Sequence, residues 1–150
     1  MTITVTTTSA DETKALGRRL APLLTAGDVV VLAGRLGSGK TLFVSGVAEG
    51  LGINERVTSP TFVIARTYDS GFLPLVHVDV YRLGSLAEFD DLELVDDGAD
   101  GAIMIEWGEA IVDTLPDDRL TVALEMNGDN RSISFDAEGA WCERDLAVLT

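Results

Sequence analysis

The segment Val29–Phe43 reads VVVLAGRLGSGKTLF, and two periodicities meet in it. Its first five residues, 29–33, are continuously apolar and mostly β-branched, the pattern of a strand buried on both faces. From about Lys40 to Glu49 the pattern is helical, with GLG at 50–52 as its stop. Between them Gly34, Gly39, Lys40 and Thr41 satisfy the spacing G-x-x-x-x-G-K-[ST]. A glycine-rich turn that leaves a strand and enters a helix aims successive backbone N–H groups, and the positive end of the helix dipole, at one point; such a turn cradles phosphates. Gly37, Ser38, Gly39, Lys40, Thr41 and Leu42 form the cradle in this reading. Lys40 is expected to reach the β- and γ-phosphates, and Thr41 to offer its hydroxyl to Mg²⁺.

The bulk composition sharpens the point. The 150 residues carry 25 acidic against 11 basic side chains, a net charge of −14. A surface so acidic repels nucleic-acid backbones, so broad contact with RNA or DNA is disfavoured and proteins are the expected partners. A phosphate-bearing ligand then needs a local positive device, and Lys40 is one of only two lysines, with Lys14. Hydrophobic content of 46% and charged content of 24% are globular values. The length suits one domain over 1–150. No apolar run approaches the roughly 20 residues of a membrane span, and MTITVTTTSA has neither a basic region nor a long apolar run. The single cysteine, Cys142, cannot pair internally; with no signal peptide, a cytoplasmic location is expected.

Elements interleave along the rest of the chain. TITVT at 2–6 alternates as a strand, Ser9 and Glu12 make a capping box, and Leu16, Leu20, Leu23 and Leu24 recur at helical spacing up to Ala26-Gly27-Asp28. TFVIARTY (61–68) and PLVHVDVY (74–81) read as two strands joined tightly through DSG. AIMIEW (102–107) is another buried strand, and LTVALEM (120–126) with RSISF (131–135) forms a hairpin around NGDN. The expected fold is α/β: a P-loop NTPase-like domain whose mixed sheet has a parallel core, antiparallel hairpins and flanking helices. The acidic run 86–101 reads as irregular or short helix with a solvated face, and the tail as a docked segment anchored by Trp141 and Leu146.

Two acids close apolar runs. Asp79 in LVHVDVY and Glu106 in AIMIEW sit where a carboxylate is costly unless paired or metal-linked. Each reads either as a strand-end acid or as a group beside the metal, and the adjacent glycine loop favours the second for Asp79. Glu106 either holds Mg²⁺ through water or orients the attacking water. VTSPTF (57–62) is an ordinary Ser-Pro turn or a switch that senses the γ-phosphate through Thr58, Ser59 and Thr61. His77, the only histidine, lies on the same strand face as Asp79 and reads first as a hydrogen-bonded core group. Cys142 has no basic activator nearby and reads as structural. No Asn-Lys-x-Asp base reader occurs, and Asp79 is followed by Val80, Tyr81 and Arg82 where a guanine-binding switch would read Asp-x-x-Gly, which favours ATP over GTP.

In order and spacing, GRLGSGKTLF, VTSPTF, HVDVYRL, IEWGE and LPDDRL resemble the TsaE family, the small bacterial P-loop ATPases of tRNA threonylcarbamoyladenosine synthesis. The resemblance spans about residues 9–135. It implies an ATPase, weak alone, that works with Mg²⁺ on a pair of partner proteins, TsaB and TsaD, and meets tRNA only through that assembly. It implies Lys40, Asp79 and Glu106 as catalytic residues, and Thr41, Glu106 and Asp79 on the metal side with Asp79 as the Walker-B-like acid. It further implies Ser59 to Thr61 as the switch, Trp107 beside the nucleotide, and Thr13 and Arg131 approaching it. The family loop usually reads Gly-Asp-Leu-Gly-Ala-Gly-Lys-Thr; Arg35 and Ser38 depart from it here. A small-molecule kinase using the same loop is the alternative. Such kinases carry an arginine-rich lid, whereas the arginines here are scattered.

Overall fold

Seven strands form one sheet in the order β1-β7-β6-β2-β5-β4-β3. The computed structural model describes residues 1–58, 65–80 and 100–150, the side chains of 108–110 excepted. The expected switch residues Ser59 and Thr61 lie outside the described residues, as does nearly all of the acidic run 86–101. The strands are β1 (Thr2–Thr7), β2 (Val29–Ala33), β3 (Ala65–Tyr68), β4 (Leu75–Asp79), β5 (Ala102–Glu106), β6 (Arg119–Asn127) and β7 (Asn130–Glu138). Helices α1 (Ala10–Leu20) and α2 (Lys40–Gly50) pack on one face.

The parallel core is β6-β2-β5-β4, and antiparallel strands close both edges: β7 and β1 on one side, β3 on the other. The expected mixed α/β sheet is therefore what the chain builds. Continuous apolar runs become central strands because both their faces are covered. Val30 and Leu32 turn toward the helices, where Leu16, Leu20, Phe43, Val44 and Val47 are buried. Val29 and Val31 join Val76, Val78, Ile103 and Ile105 in a second core on the other face, with Ile111 and Leu115.

Helix α1 begins as its sequence dictates. The Ser9 hydroxyl accepts the Glu12 amide at 3.1 Å. The reciprocal arm is shifted by one residue, since Glu12 Oε2 accepts the Thr8 amide and hydroxyl at 2.6 and 2.9 Å. The helix ends at Leu20, earlier than the leucine spacing suggested, and a 3-10 turn, Ala21–Leu23, follows. Pro22 lacks an N–H and cannot continue an α-helix. The two helices cross closely, because a Cβ on Gly46 would run into the Lys14 carbonyl and one on Gly17 into that of Phe43. The crossing sets the height at which α2 starts, and with it the loop before it.

The β6–β7 hairpin runs further than the alternation indicated, pairing Arg119 with Glu138 through to Asn127 with Asn130. Gly128 carries φ 68° in the tight connection. Beyond it, 3-10 turns over Gly139–Glu143 and Leu146–Leu149 dock the tail through buried Trp141, Leu146 and Leu149. The Cys142 thiol is exposed and donates to the Ala137 carbonyl at 3.2 Å. Among the described residues no helix is long and apolar enough to cross a membrane.

Candidate functional site

Parallel strands deliver their C-terminal ends to one edge of the sheet, and a loop leaving the central strand sits among its neighbours' ends. Here β2 ends at Ala33, with β5 ending at Glu106 beside it and β4 at Asp79 one strand further. The residues between Ala33 and Lys40 form the glycine-rich turn. Gly34, Gly37 and Gly39 have φ of 147°, 81° and 106°, a region that L side chains avoid. At Gly34 the space is closed as well, since a Cβ would lie 2.6 Å from both the Leu124 carbonyl and the Ser38 hydroxyl. Gly39 is the N-cap of α2 and supplies no side-chain cap, and the first amides of a helix point along its axis beyond its start.

Lys40 is buried, with only 5% of its surface exposed. Its ammonium donates to the Gly34 carbonyl at 2.5 Å and the Arg35 carbonyl at 3.1 Å. It also lies 3.9 Å from the centre of the Trp107 ring, within cation–π range. Trp107 follows Glu106 and is the one described non-glycine residue at positive φ, 65°. Its amide is held by the Leu32 carbonyl at 3.0 Å. That left-handed residue turns the chain at the end of β5 and lays the indole under the lysine.

The acids lie on the helix-side face. Glu106 and Asp79 are register partners on adjacent strands, 4% and 6% exposed. The Thr41 hydroxyl donates to Glu106 Oε1 and Oε2 at 3.3 and 3.1 Å. The family resemblance implied Thr41 and Glu106 on the magnesium side and Asp79 as the Walker-B-like acid. Glu106 is the acid that meets the hydroxyl, because β5, and not β4, is the immediate neighbour of β2. His77, fully buried on β4, is hydrogen-bonded through Nε2 to Glu106 Oε2; opposite an ionised carboxylate, which only accepts, that nitrogen is the donor.

Arg131 and Thr13 reach the loop in different ways. Arg131, on β7, donates from Nε to the Ser38 carbonyl at 3.0 Å, and its side chain lies over Gly39. Thr13 is fully buried, sharing a 2.7 Å hydroxyl bond with Thr7; Thr7 is the β1 register partner of Arg131. Thr13 therefore stands behind Arg131, two residues removed from the loop. Leu42 is half-buried on the first turn of α2, and the Arg35 side chain is exposed. Spacing alone gave no sign of the Lys40–Trp107 stack or the His77–Glu106 bond. Each depends on which strand ends the topology makes adjacent.

Beside the loop an open depression of about 510 Å³ is lined by Gly34, Arg35, Leu36, Ser38, Leu124, Glu125 and Met126. The Ser38 hydroxyl is buried there with no hydrogen-bond partner among the described residues. Among those residues no three His, Cys, Asp or Glu side chains converge as a self-sufficient metal cage. The oxygen donors that do meet are Thr41 and Glu106, with Asp79 next in register.

Comparison with known proteins identifies the family. Residues 7–133 match the family model described as threonylcarbamoyl adenosine biosynthesis protein TsaE. The tRNA threonylcarbamoyladenosine biosynthesis protein TsaE of Streptomyces coelicolor is 48% identical over 143 residues, 89% of this chain and 97% of that protein. Its namesake in Bacillus subtilis is 43% identical over 134 residues, 89% of this chain and 84% of that one. The crystal structure of Bacillus subtilis YdiB superposes with a TM-score of 0.79 at 37% identity, covering 95% of this chain and 93% of that one. With a family model spanning most of its length and relatives at these identities, this chain belongs to the TsaE family of threonylcarbamoyl adenosine biosynthesis proteins.

Proposed function

We propose that the protein is an Mg²⁺-dependent P-loop ATPase that supports threonylcarbamoylation of tRNA adenosine together with TsaB- and TsaD-type partners. The observation that carries the reading is the Thr41–Glu106 contact at the mouth of the glycine loop. A helix-start hydroxyl bonded to a strand-end carboxylate is the arrangement by which P-loop proteins hold a nucleotide-bound cation. Thr41, Glu106 and Asp79 offer oxygen alone, the donor set that Mg²⁺ prefers, and few enough to leave room for phosphate oxygens and water. Mg²⁺ held there supplies charge neutralisation to the phosphates.

The chain's own residues do the rest. Loop amides from Gly37 to Leu42 receive phosphate oxygens, and Lys40 exchanges its carbonyl partners for phosphate. Arg131 fixes the Ser38 peptide plane through its carbonyl and so directs the neighbouring amide. Glu106 anchors Thr41 and, with Asp79, orients water at the γ-phosphate. ATP is preferred over GTP because the chain lacks a guanine-reading motif. The net charge of −14 supports contact with tRNA through partner proteins and not directly.

The test titrates the protein with ATP, with and without Mg²⁺, by calorimetry, and then measures hydrolysis with and without the two partner proteins. Mg²⁺-strengthened binding and partner-stimulated phosphate release are the expected results. Absence of ATP binding overturns the reading, and transfer of the γ-phosphate to a small metabolite replaces it with the kinase.

A further inference from the structure

His77 is an expensive residue to place where it is. It lies in the middle of β4 between Val76 and Val78, with none of its surface exposed. An apolar side chain of similar volume would fill the same space without a polar group to satisfy. A histidine kept only for packing would be expected to satisfy both ring nitrogens. Here Nε2 meets Glu106 Oε2, while Nδ1 is buried and unpartnered among the described residues. The cost of burying the ring is met at one atom, and that atom belongs to the site.

The geometry points to His77 as the positioning residue of Glu106. The carboxylate receives Thr41 from the α2 side and His77 from within the sheet. One donor alone leaves a carboxylate free to swing about its terminal torsion, which is broad. Two donors from separate elements fix the plane of the group. His77 stands two residues before Asp79 on the same face of β4, and Asp79 is the register partner of Glu106. The imidazole thus braces the inner side of an acid pair whose outer side faces the loop. The inference rests on the ATPase reading for its readout, but its origin is the bond between His77 and Glu106.

Outer-shell partners of metal-side carboxylates typically change metal affinity or activity by about 10- to 100-fold when removed. His77→Gln keeps an N–H donor at the reach of Nε2, His77→Asn moves the amide to the position of Nδ1, and His77→Phe removes it. For each variant we would measure apo thermal stability, ATP affinity without Mg²⁺, Mn²⁺ affinity of the ATP complex by electron paramagnetic resonance, and single-turnover hydrolysis. The expected result is Mg²⁺-free ATP affinity within about twofold of wild type throughout. His77→Asn and His77→Phe should lose about tenfold or more in Mn²⁺ affinity and in hydrolysis, while His77→Gln stays within about threefold. If His77→Phe does not fold, the Gln–Asn difference still decides. Equal behaviour of Gln and Asn, both intact or both impaired, overturns the inference. A wild-type protein that binds no ATP overturns the ATPase reading instead, and is recognised before any variant is compared.

Discussion

Thr41, at the first turn of α2, donates its hydroxyl to both oxygens of Glu106, the last residue of β5, at 3.3 and 3.1 Å. The bond ties helix to strand across the loop that links β2 to α2. Glu106→Gln keeps the shape and one acceptor but removes the charge. ATP binding should persist, whereas hydrolysis and Mg²⁺ dependence should each fall by about 10- to 100-fold. Single-turnover hydrolysis across a Mg²⁺ titration reads both, and wild-type rates in the variant would remove Glu106 from the site's chemistry.

Lys40 has two tasks. Its ammonium bridges the Gly34 and Arg35 carbonyls, holding the loop in shape, and it is the cation buried in the cradle. Lys40→Ala should weaken ATP binding by at least about 100-fold, or about 2.8 kcal/mol. Lys40→Arg should not restore it, because a planar fork cannot replace a compact ammonium between two carbonyls and an indole. Calorimetric affinities for the two variants check both statements. An unchanged affinity in Lys40→Ala would dismiss the cradle.

How far the sequence spoke for itself depended on the range of the interaction. The strand–turn–helix at 29–50 and the hairpin around Gly128 were legible because turn chemistry and periodicity are local. So was the Ser9 cap. Strand order was not local, and it decides which acid meets Thr41: Asp79 and Glu106 look alike as strand-end carboxylates, the family resemblance alone gave them different roles, and the β2–β5 pairing is what sets Glu106 beside the start of the helix. Arg144 was invisible as well, for its partner Asp28 lies 116 positions away.

Trp107 occupies the left-handed region at φ 65°, where a Cβ costs about 1–2 kcal/mol and glycine almost nothing. Trp107→Gly should therefore be more stable than Trp107→Ala by about 1 kcal/mol in urea denaturation. Both should lose the indole under Lys40. If alanine proves equal to glycine or better, the turn after Glu106 is not held in that conformation.

Glu12 is held below its usual value of 4.5, first by the Thr8 backbone amide and then by the Thr8 hydroxyl. A lowered folded-state value means the ionised form favours the folded protein. The contribution is whole above the usual value and disappears as pH falls through the lowered one. Glu12→Gln should therefore melt below wild type at neutral pH, with the gap narrowing progressively in acid below 4.5. A gap that stays constant with pH would mean that charge at Glu12 has no part in the cap.

Arg144 ties the tail to the far end of β2. Its two terminal nitrogens meet both oxygens of Asp28, at 2.6 and 2.8 Å, and its guanidinium lies 3.9 Å from the Trp141 ring. It also donates to the Leu23 carbonyl at 3.0 Å, while Asp28 accepts the Thr25 amide at 2.7 Å. Breaking a buried pair from one side strands the other charge at a cost of about 3–5 kcal/mol. Arg144 retains 22% side-chain exposure, and solvent reaching it trims the expected cost of Arg144→Ala to about 2–3 kcal/mol. Arg144→Lys should recover less than half, since a single ammonium reproduces neither the two-pronged contact nor the stack. ATP affinity of the folded variant should match wild type, because Asp28 precedes β2 and the glycine loop follows it, about 17 Å away along the strand. Urea denaturation gives the first quantity and calorimetry at a temperature where the variant is folded gives the second. Weakened ATP binding without loss of stability would mean that the tail communicates with the loop through β2, and the two ends of the sheet could no longer be treated as independent.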